Sequence, residues 1–170
     1  MLTETQILFE ASQVINDEIK VSFARQGHSL TGAWENSIYA QQIGGDEVEG
    51  LALTYGSIVD AGTTADRIPY SGNGGGGVSQ YIQGLFNFWK LRKPGITDKE
   101  ALSLAFATAK VQKEEGMSTF GSRAYSETQN RQRFIEDALV ETESKVTNMV
   151  FSGMVNIVNE SVIEEKELVY

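Results

Sequence analysis

The chain has 170 residues, a formal net charge of −9 and no cysteine, with 41% hydrophobic and 22% charged residues. This composition excludes intrinsic disorder, disulfides and thiolate metal sites, and the length predicts one compact domain. No apolar run approaches the ~20 residues of a membrane helix, and no basic segment precedes a hydrophobic stretch at the amino terminus. We therefore expect a folded chain with neither a membrane span nor an export signal.

The charges are distributed unevenly along the chain. Residues 90–133 carry nine basic and five acidic side chains, a local net charge of +4, and the rest of the chain has a net charge of −13. Segments of opposite sign suit contacts between neighbouring protein subunits better than DNA binding, which usually involves a strongly basic domain. Solvated faces without a partner are the alternative interpretation of the same pattern.

The first third of the chain predicts a helix and a β-hairpin. Apolar residues recur at helical spacing over residues 3–26, Thr3 and Gln6 match a capping box, and Gly27 stands where a helix commonly ends. LTGAWENSI, from residue 30, indicates a short helical turn. The segments SIYAQQI and VEGLALTY flank a Gly-Gly-Asp-Glu turn and indicate the hairpin.

A long glycine-rich loop is predicted over residues 56–78. Its segment YSGNGGGGV contains four consecutive glycines, which are costly in conformational entropy to hold in one conformation. The segment lacks both the Gly-Lys-Ser/Thr ending of a phosphate-binding loop and the dinucleotide-binding spacing, so no nucleotide site is expected. We interpret it as a hinge or arm that is ordered by contacts with a neighbouring copy of the chain.

Two helices are predicted in an insertion over residues 79–116. Ser79 indicates the N-cap of the first, whose many aromatic residues favour a core or oligomer contact over base stacking. Thr97 and Glu100 predict a capping box at the start of the second, and Gly116 predicts its end.

A last helix is predicted to begin after the N-cap Ser126, because apolar residues keep a helical stripe through Val150. It either continues beyond Gly153 or breaks there, and residues 160–170 follow as an acidic tail. These elements predict a single α+β domain over residues 1–170. In it, a small antiparallel β-sheet packs against the N- and C-terminal helices, and a helical insertion follows the glycine-rich loop.

The sequence shows no catalytic constellation. His28 is the only histidine, and its position after a helix C-terminus favours the capping of main-chain carbonyls over acid–base chemistry. Adjacent carboxylates such as Glu114 and Glu115 do not face each other on a helix. The acidic groups around Asp17 and Asp46 lack the regular ligand spacing of a calcium site. We therefore expect no catalytic residue, no cofactor and no metal.

Three short motifs occur in an order that is typical of one protein family. They lie before the hairpin, after it and at the entry to the last helix. They resemble T/S-G-x-L-x-x-S-I, Y-x-x-x-V-E-x-G-T and F-I-x-x-A-L of the neck and tail-completion proteins of tailed bacteriophages. Trp34 and Asp60 stand where that family usually has Leu and Glu. The matching positions are Thr31, Gly32, Ser37, Ile38, Tyr55, Val59, Gly62, Thr63, Phe134, Ile135, Ala138 and Leu139.

The resemblance implies a structural virion protein and not an enzyme. It implies a homo-oligomeric ring, sixfold or twelvefold, that joins the portal to the tail or completes the tail after assembly in the host cytoplasm. Its partners would be copies of itself, portal or adaptor proteins and tail proteins, with DNA only passing through the lumen and no membrane. The alternatives are a soluble cytoplasmic adaptor with a peptide partner, or a small hydrolase with a perturbed carboxyl group in a cleft.

Two sets of residues are predicted at the interfaces between subunits. The first set is interface backbone: Gly62, Thr63, Gly72, Gly74, Gly75, Gly76 and Gly77. The second set is basic and would pair with acidic neighbours or line a channel: Lys90, Arg92, Lys93 and Arg123.

Overall fold

The computed structural model describes residues 3–44, 47–72 and 78–167, with residues 164–167 described by their backbone alone. Within this part the fold is α+β, as predicted, with a two-stranded antiparallel sheet between the N- and C-terminal helices in the chain order. The elements are α1 (Glu4–Arg25), β1 (Tyr39–Gln42), β2 (Val48–Leu51), α2 (Tyr55–Ala61), α3 (Gln80–Arg92), α4 (Asp98–Glu115) and α5 (Phe134–Glu167).

These elements are grouped in two compact units. The first consists of the described parts of residues 1–25, 31–56 and 133–170, and the second of residues 26–30 and the described parts of 57–132. The prediction of a single domain over residues 1–170 stays a prediction. The second unit exceeds the predicted insertion over residues 79–116 because it also includes most of α2 and the segment that precedes α5.

In the first unit, α1 packs against both α5 and the hairpin. The hairpin register runs from Tyr39 opposite Leu51 to Gln42 opposite Val48. α5 continues through Gly153 to Glu167. The helix therefore does not break at Gly153, which the sequence had allowed as one of two alternatives. A Cβ atom at Gly153 would lie 2.5 Å from Cδ1 of Ile7, so the glycine permits close packing of the two helices.

Three aromatic rings form the centre of the first unit. Phe23 of α1 stacks on Trp34 with centroids 4.3 Å apart, and Phe134 of α5 meets these two rings edge-on at 5.1 and 5.2 Å. All three side chains are buried, and the indole Nε1 of Trp34 donates to the Leu53 carbonyl at 3.1 Å. The rings therefore join both long helices to the segment that precedes the hairpin.

The predicted helix boundaries are confirmed where local side-chain hydrogen bonds define them. Thr3 and Gln6 form the reciprocal bonds of a capping box, as do Thr97 and Glu100. The hydroxyl of Ser79 accepts from the main-chain N–H of Ile82 at the start of α3. These contacts satisfy N–H groups that have no partner within the helix.

The predicted start of the last helix is wrong. Ser126 ends a 3₁₀ helix, and its hydroxyl accepts from the main-chain N–H of Thr128, whereas α5 begins at Phe134. Gln129 and Arg133 have positive φ angles of 57° and 61°. Such angles are incompatible with a continuous α-helix through these residues.

The predicted loop over residues 56–78 is too long, because its first residues belong to α2 and a 3₁₀ helix follows at Ala65–Arg67. The tail predicted over residues 160–170 is likewise helical through Glu167. Residues 73–77, which include four of the loop glycines, lie outside the described residues. The hypothesis of an arm ordered by assembly therefore stays a prediction.

Substitution of Gly56 tests the packing around Trp34. A Cβ at Gly56 would lie 2.1 Å from the indole Nε1, so we expect Gly56→Ala to lower the free energy of unfolding by about 1–3 kcal/mol. The control is Gly84→Ala on α3, where a Cβ meets nothing within 4 Å and a gain of about 0.5–1 kcal/mol is expected. Urea denaturation measures both. An unchanged stability of Gly56→Ala would contradict the close contact.

Candidate functional site

The second unit is built on the packing of α3 against α4. Ala105 and Ala109 recur at a spacing of four residues on α4, are fully buried, and form a cluster with the buried Ile82 of α3. Alanine lets two helices approach closely, because its side chain ends at Cβ. Trp89 packs against this cluster, and its Nε1 donates to the hydroxyl of Thr108 at 2.9 Å, which fixes the indole ring.

Beside this helix pair lies a cavity of about 520 Å³, here called the α3–α4 pocket. Apolar and aromatic side chains form much of its wall, and no aspartate or glutamate is among its lining residues, although the chain carries 23 acidic residues. The lining comprises His28, Ile58, Val59, Gly62, Thr63, Leu85, Phe88, Trp89, Arg92, Ala107, Thr108, Val111, Gln112, Met117, Ser118, Thr119, Gly121, Ser122, Tyr125 and Arg131.

Arg131 is the organising residue of this pocket. Its Nε donates to the Gln26 carbonyl and one terminal nitrogen to the Gly27 carbonyl, both at 3.0 Å. The other terminal nitrogen lies 3.4 Å from the Ser122 carbonyl. Burial and then the nearby Arg92 lower the pKa of Arg131, and its charge persists because an arginine pKa is far above neutral pH. The guanidinium thus joins segments that are about 100 residues apart in the chain.

His28 completes the arrangement as a neutral ring. Its Nδ1 lies 3.2 Å from a terminal nitrogen of Arg131, and its Nε2 lies 3.2 Å from the Arg131 carbonyl. Because a guanidinium only donates, Nδ1 accepts and Nε2 carries the hydrogen that it donates to the carbonyl. Burial and then Arg131 lower the pKa of His28 to about 4. His28 donates to the carbonyl of Arg131. The carbonyls of Gln26 and Gly27, which follow α1, accept from Arg131 instead, so the predicted capping role of His28 is corrected.

Arg92 supplies a second guanidinium to the pocket. Its Cζ lies 4.5 Å from the centroid of the Tyr125 ring, a cation–π contact that positions the side chain. No carboxylate in the described part of the chain forms an ion pair with Arg92 or Arg131. The pocket therefore combines two positive charges with apolar walls.

Two predicted interface residues, Gly62 and Thr63, line the same pocket. Thr63 forms an antiparallel bridge with Met117, with N–H to carbonyl distances of 2.8 and 2.7 Å. Gly62 has a φ of 74°, and a Cβ there would lie 2.6 Å from the Met117 carbonyl oxygen. Their backbone is thus packed within the chain, and their contact with another copy stays a prediction.

The other predicted interface residues are dispersed. Lys90 forms an ion pair with Asp98 at 2.9 Å, Lys93 lies over Trp89, and Arg123 lies over Phe120.

Gly72 lines a different cavity, of about 540 Å³, together with residues of α4. Gly74 to Gly77 lie outside the described residues. Of the predicted basic set, the structure therefore brings only Arg92 into the α3–α4 pocket.

Carboxyl groups with altered pKa values lie elsewhere. In the first unit, burial and then a hydrogen bond to Glu141 raise the pKa of Glu18, and Arg25 and then Glu18 lower that of Glu141. Arg25 bridges them at 3.5 Å from Glu18 and 3.0 Å from Glu141. Neither carboxylate lines either cavity.

Within residues 3–44, 47–72 and 78–167 there is no cluster of three His, Asp or Glu suited to a metal, and no helix that could span a membrane.

Comparison with protein families, curated proteins and solved structures found no match. Sequence reasoning missed Arg131, which was counted only as one charge of the basic segment. The available signal is its place three residues before Phe134, where the motif at the entry to the last helix begins. Its partners Gln26, Gly27 and His28 carried no matching pattern in the sequence.

The neutral ring of His28 predicts a pH dependence of stability. Since its pKa falls from 6.5 to about 4 on folding, its contribution is complete above pH 6.5 and is lost as the pH falls from about 6.5 to 4. Between pH 7 and pH 5 we expect the free energy of unfolding of the wild-type protein to decrease by about 1 kcal/mol more than that of His28→Gln, after allowing for solvent screening. Chemical denaturation at both pH values measures this. A constant difference between the two proteins would contradict the neutral ring.

Proposed function

We propose that the protein is a structural subunit that assembles with copies of itself into a ring in the neck of a tailed bacteriophage, where it joins the portal to the tail or completes the tail. Two independent lines support this proposal. The order of the three sequence motifs supports the phage neck, and the surface of α5 supports self-assembly.

The observation that carries self-assembly is an apolar stripe on the C-terminal half of α5. Phe151 is 68% exposed, Val158 is 60% exposed, and Val155 and Val162 are also exposed. On the described surface these side chains have no covering element. They form the α5 stripe, defined as Phe151, Val155, Val158 and Val162.

The spacing of the stripe is that of a helix–helix seam. Its residues follow one another at intervals of four, three and four, which is the a/d repeat of a coiled coil over two heptads. Burial of a half-exposed Val or Phe stabilises by about 1 kcal/mol, so a seam formed by two such stripes would gain several kcal/mol.

The charge distribution favours a second copy as the partner. The chain carries a net charge of −9, yet Glu160 is the only charged residue between residues 146 and 163. Two acidic molecules meet with less repulsion through a surface that lacks charge than through an acidic one. An uncharged stripe on an acidic protein therefore suits contact with a copy of itself.

The phage neck is supported by the motifs alone. Ile38, Phe134 and Ala138, which match the family pattern, are buried in the first unit. Trp34, which replaces the usual Leu, packs against Phe23 and Phe134 in the aromatic cluster. These positions maintain a core, so the resemblance concerns the fold, and the role in the neck follows from it as a proposal. The proposed partners beyond the ring are the portal or adaptor proteins and the tail proteins.

A second candidate is a soluble adaptor that binds a partner through a pocket. The α3–α4 pocket favours it, because a cavity of about 520 Å³ with apolar walls and two guanidinium groups is a typical ligand site. An adaptor would be a stable monomer at high concentration, whereas a ring subunit would assemble.

Substitution of Val158 tests self-assembly. We expect the wild-type protein to form a closed assembly of six or twelve copies in native mass spectrometry, and Val158→Glu to shift it to the monomer, because the carboxylate would be buried in the seam without a partner. Asn156→Glu is the control, since it adds the same charge to an exposed position of the same helix outside the stripe. A wild-type monomer, or equal effects of the two variants, would contradict the α5 stripe as the interface.

The place in the virion has its own test. We expect peptides of this chain in purified particles of the phage that encodes it, in a copy number equal to that of one ring per particle. Quantitative mass spectrometry of the particles measures this. Particles that contain portal and tail proteins but lack the chain would contradict the neck assignment, whatever the oligomeric state of the isolated protein.

A further inference from the structure

We propose that the α3–α4 pocket is a binding site for a small amphipathic monoanion, namely a carboxylate attached to an aromatic or branched apolar group. The pocket lies within the second unit, and the α5 stripe lies in the first. The inference is therefore independent of the proposed ring, and its test does not require assembly.

The first argument is the uncompensated positive charge. Arg92 and Arg131 both line the pocket, and neither has a carboxylate partner among the described residues. In proteins, buried or half-buried charges are normally paired, because the loss of hydration is costly without a counter-charge. A bound anion would supply this counter-charge, and it would also reduce the repulsion between the two guanidinium groups.

The second argument is the hydrogen-bonding capacity that the pocket leaves available. Arg131 has five N–H donors, and its contacts with Gln26, Gly27, Ser122 and His28 use four of them. Arg92 makes a ring contact with Tyr125 and no hydrogen bond among the described residues. Two positioned guanidinium groups with donors to spare suit a carboxylate, to which arginine binds with short charge-assisted bonds.

The third argument concerns the body of the ligand. Trp89, Phe88 and Val111 belong to the apolar wall, and the indole is held in place by its bond to Thr108. A fixed aromatic face next to a positive group favours a flat or branched apolar group beside the anion. The volume of about 520 Å³ accommodates a small molecule.

The predominantly apolar wall also decides the charge of the ligand. Removal of a second negative charge from water would add a large desolvation cost beside these apolar walls. A single carboxylate is therefore favoured over a dianionic phosphate. His28, whose ring is neutral and bonded through both nitrogens, adds no charge to the site.

The test uses the full chain and a defined pair of probes, 4-phenylbutyrate and its neutral analogue 4-phenylbutyramide. Isothermal titration calorimetry at constant ionic strength measures both. We expect the carboxylate to bind with a Kd below about 1 mM, which is reasonable for a ligand of this size, and the amide to bind at least about tenfold more weakly. Acetate, which lacks the apolar body, should bind more weakly than 4-phenylbutyrate.

Three variants locate the binding. Arg92→Gln should weaken 4-phenylbutyrate about tenfold and leave the amide unchanged, because it removes one charge-assisted contact. Ala107→Trp, at an exposed position of the pocket lining, should abolish the binding of both probes by filling the cavity. Arg123→Gln is the matched control, since it removes the same charge from an exposed residue outside the lining. Thermal melting verifies that each variant is folded.

Four results would overturn the proposal. They are no binding of 4-phenylbutyrate at concentrations well above the expected Kd, equal affinity for the carboxylate and the amide, equal effects of Arg92→Gln and Arg123→Gln, and unchanged binding by folded Ala107→Trp. Arg131 is not substituted, because its main-chain contacts make loss of folding the expected result. A monomeric wild-type protein that binds the carboxylate would support the site while contradicting the ring.

Discussion

The burial of three aromatic rings is the contact on which the first unit depends. Phe23, Trp34 and Phe134 come from the end of α1, the segment before the hairpin and the start of α5, so the packing of the rings brings these three segments together. The indole N–H must also find an acceptor once it is buried, and the Leu53 carbonyl supplies it. The same packing requires a glycine at position 56, because no side chain fits between α2 and the indole.

In the second unit a half-buried cation, Arg131, has the equivalent role. Arg131 holds together segments that the chain separates by about 100 residues, through bonds to main-chain carbonyls. Because its partners are carbonyls and a neutral imidazole, its positive charge is stabilised without being cancelled. A protein with a net charge of −9 thereby contains a pocket without any acidic side chain. A locally positive pocket in a protein with a negative net charge is more typical of a binding site than of a core.

The long helix α5 combines two environments on opposite faces. Toward α1 it presents Gly153, which permits close approach, and away from α1 it presents the α5 stripe. Because one face is already used within the chain, the stripe remains available to another molecule. The lack of charge along this part of the helix makes a second acidic copy an acceptable neighbour. Assembly and ligand binding would thus use separate units of one chain.

Local patterns in the sequence were sufficient to predict the α+β class, the hairpin and the ends of α1, α3 and α4, because caps such as Thr3 with Gln6 and stops such as Gly27 act within one turn of chain. They misplaced the start of α5, since the hydroxyl of Ser126 suits a local turn as well as an N-cap. The role of Gly56, the pairing of His28 with Arg131 and the exposure of the α5 stripe became visible only in the folded chain. Each of these depends on residues distant in the chain, and local propensity carries no information about which distant groups meet.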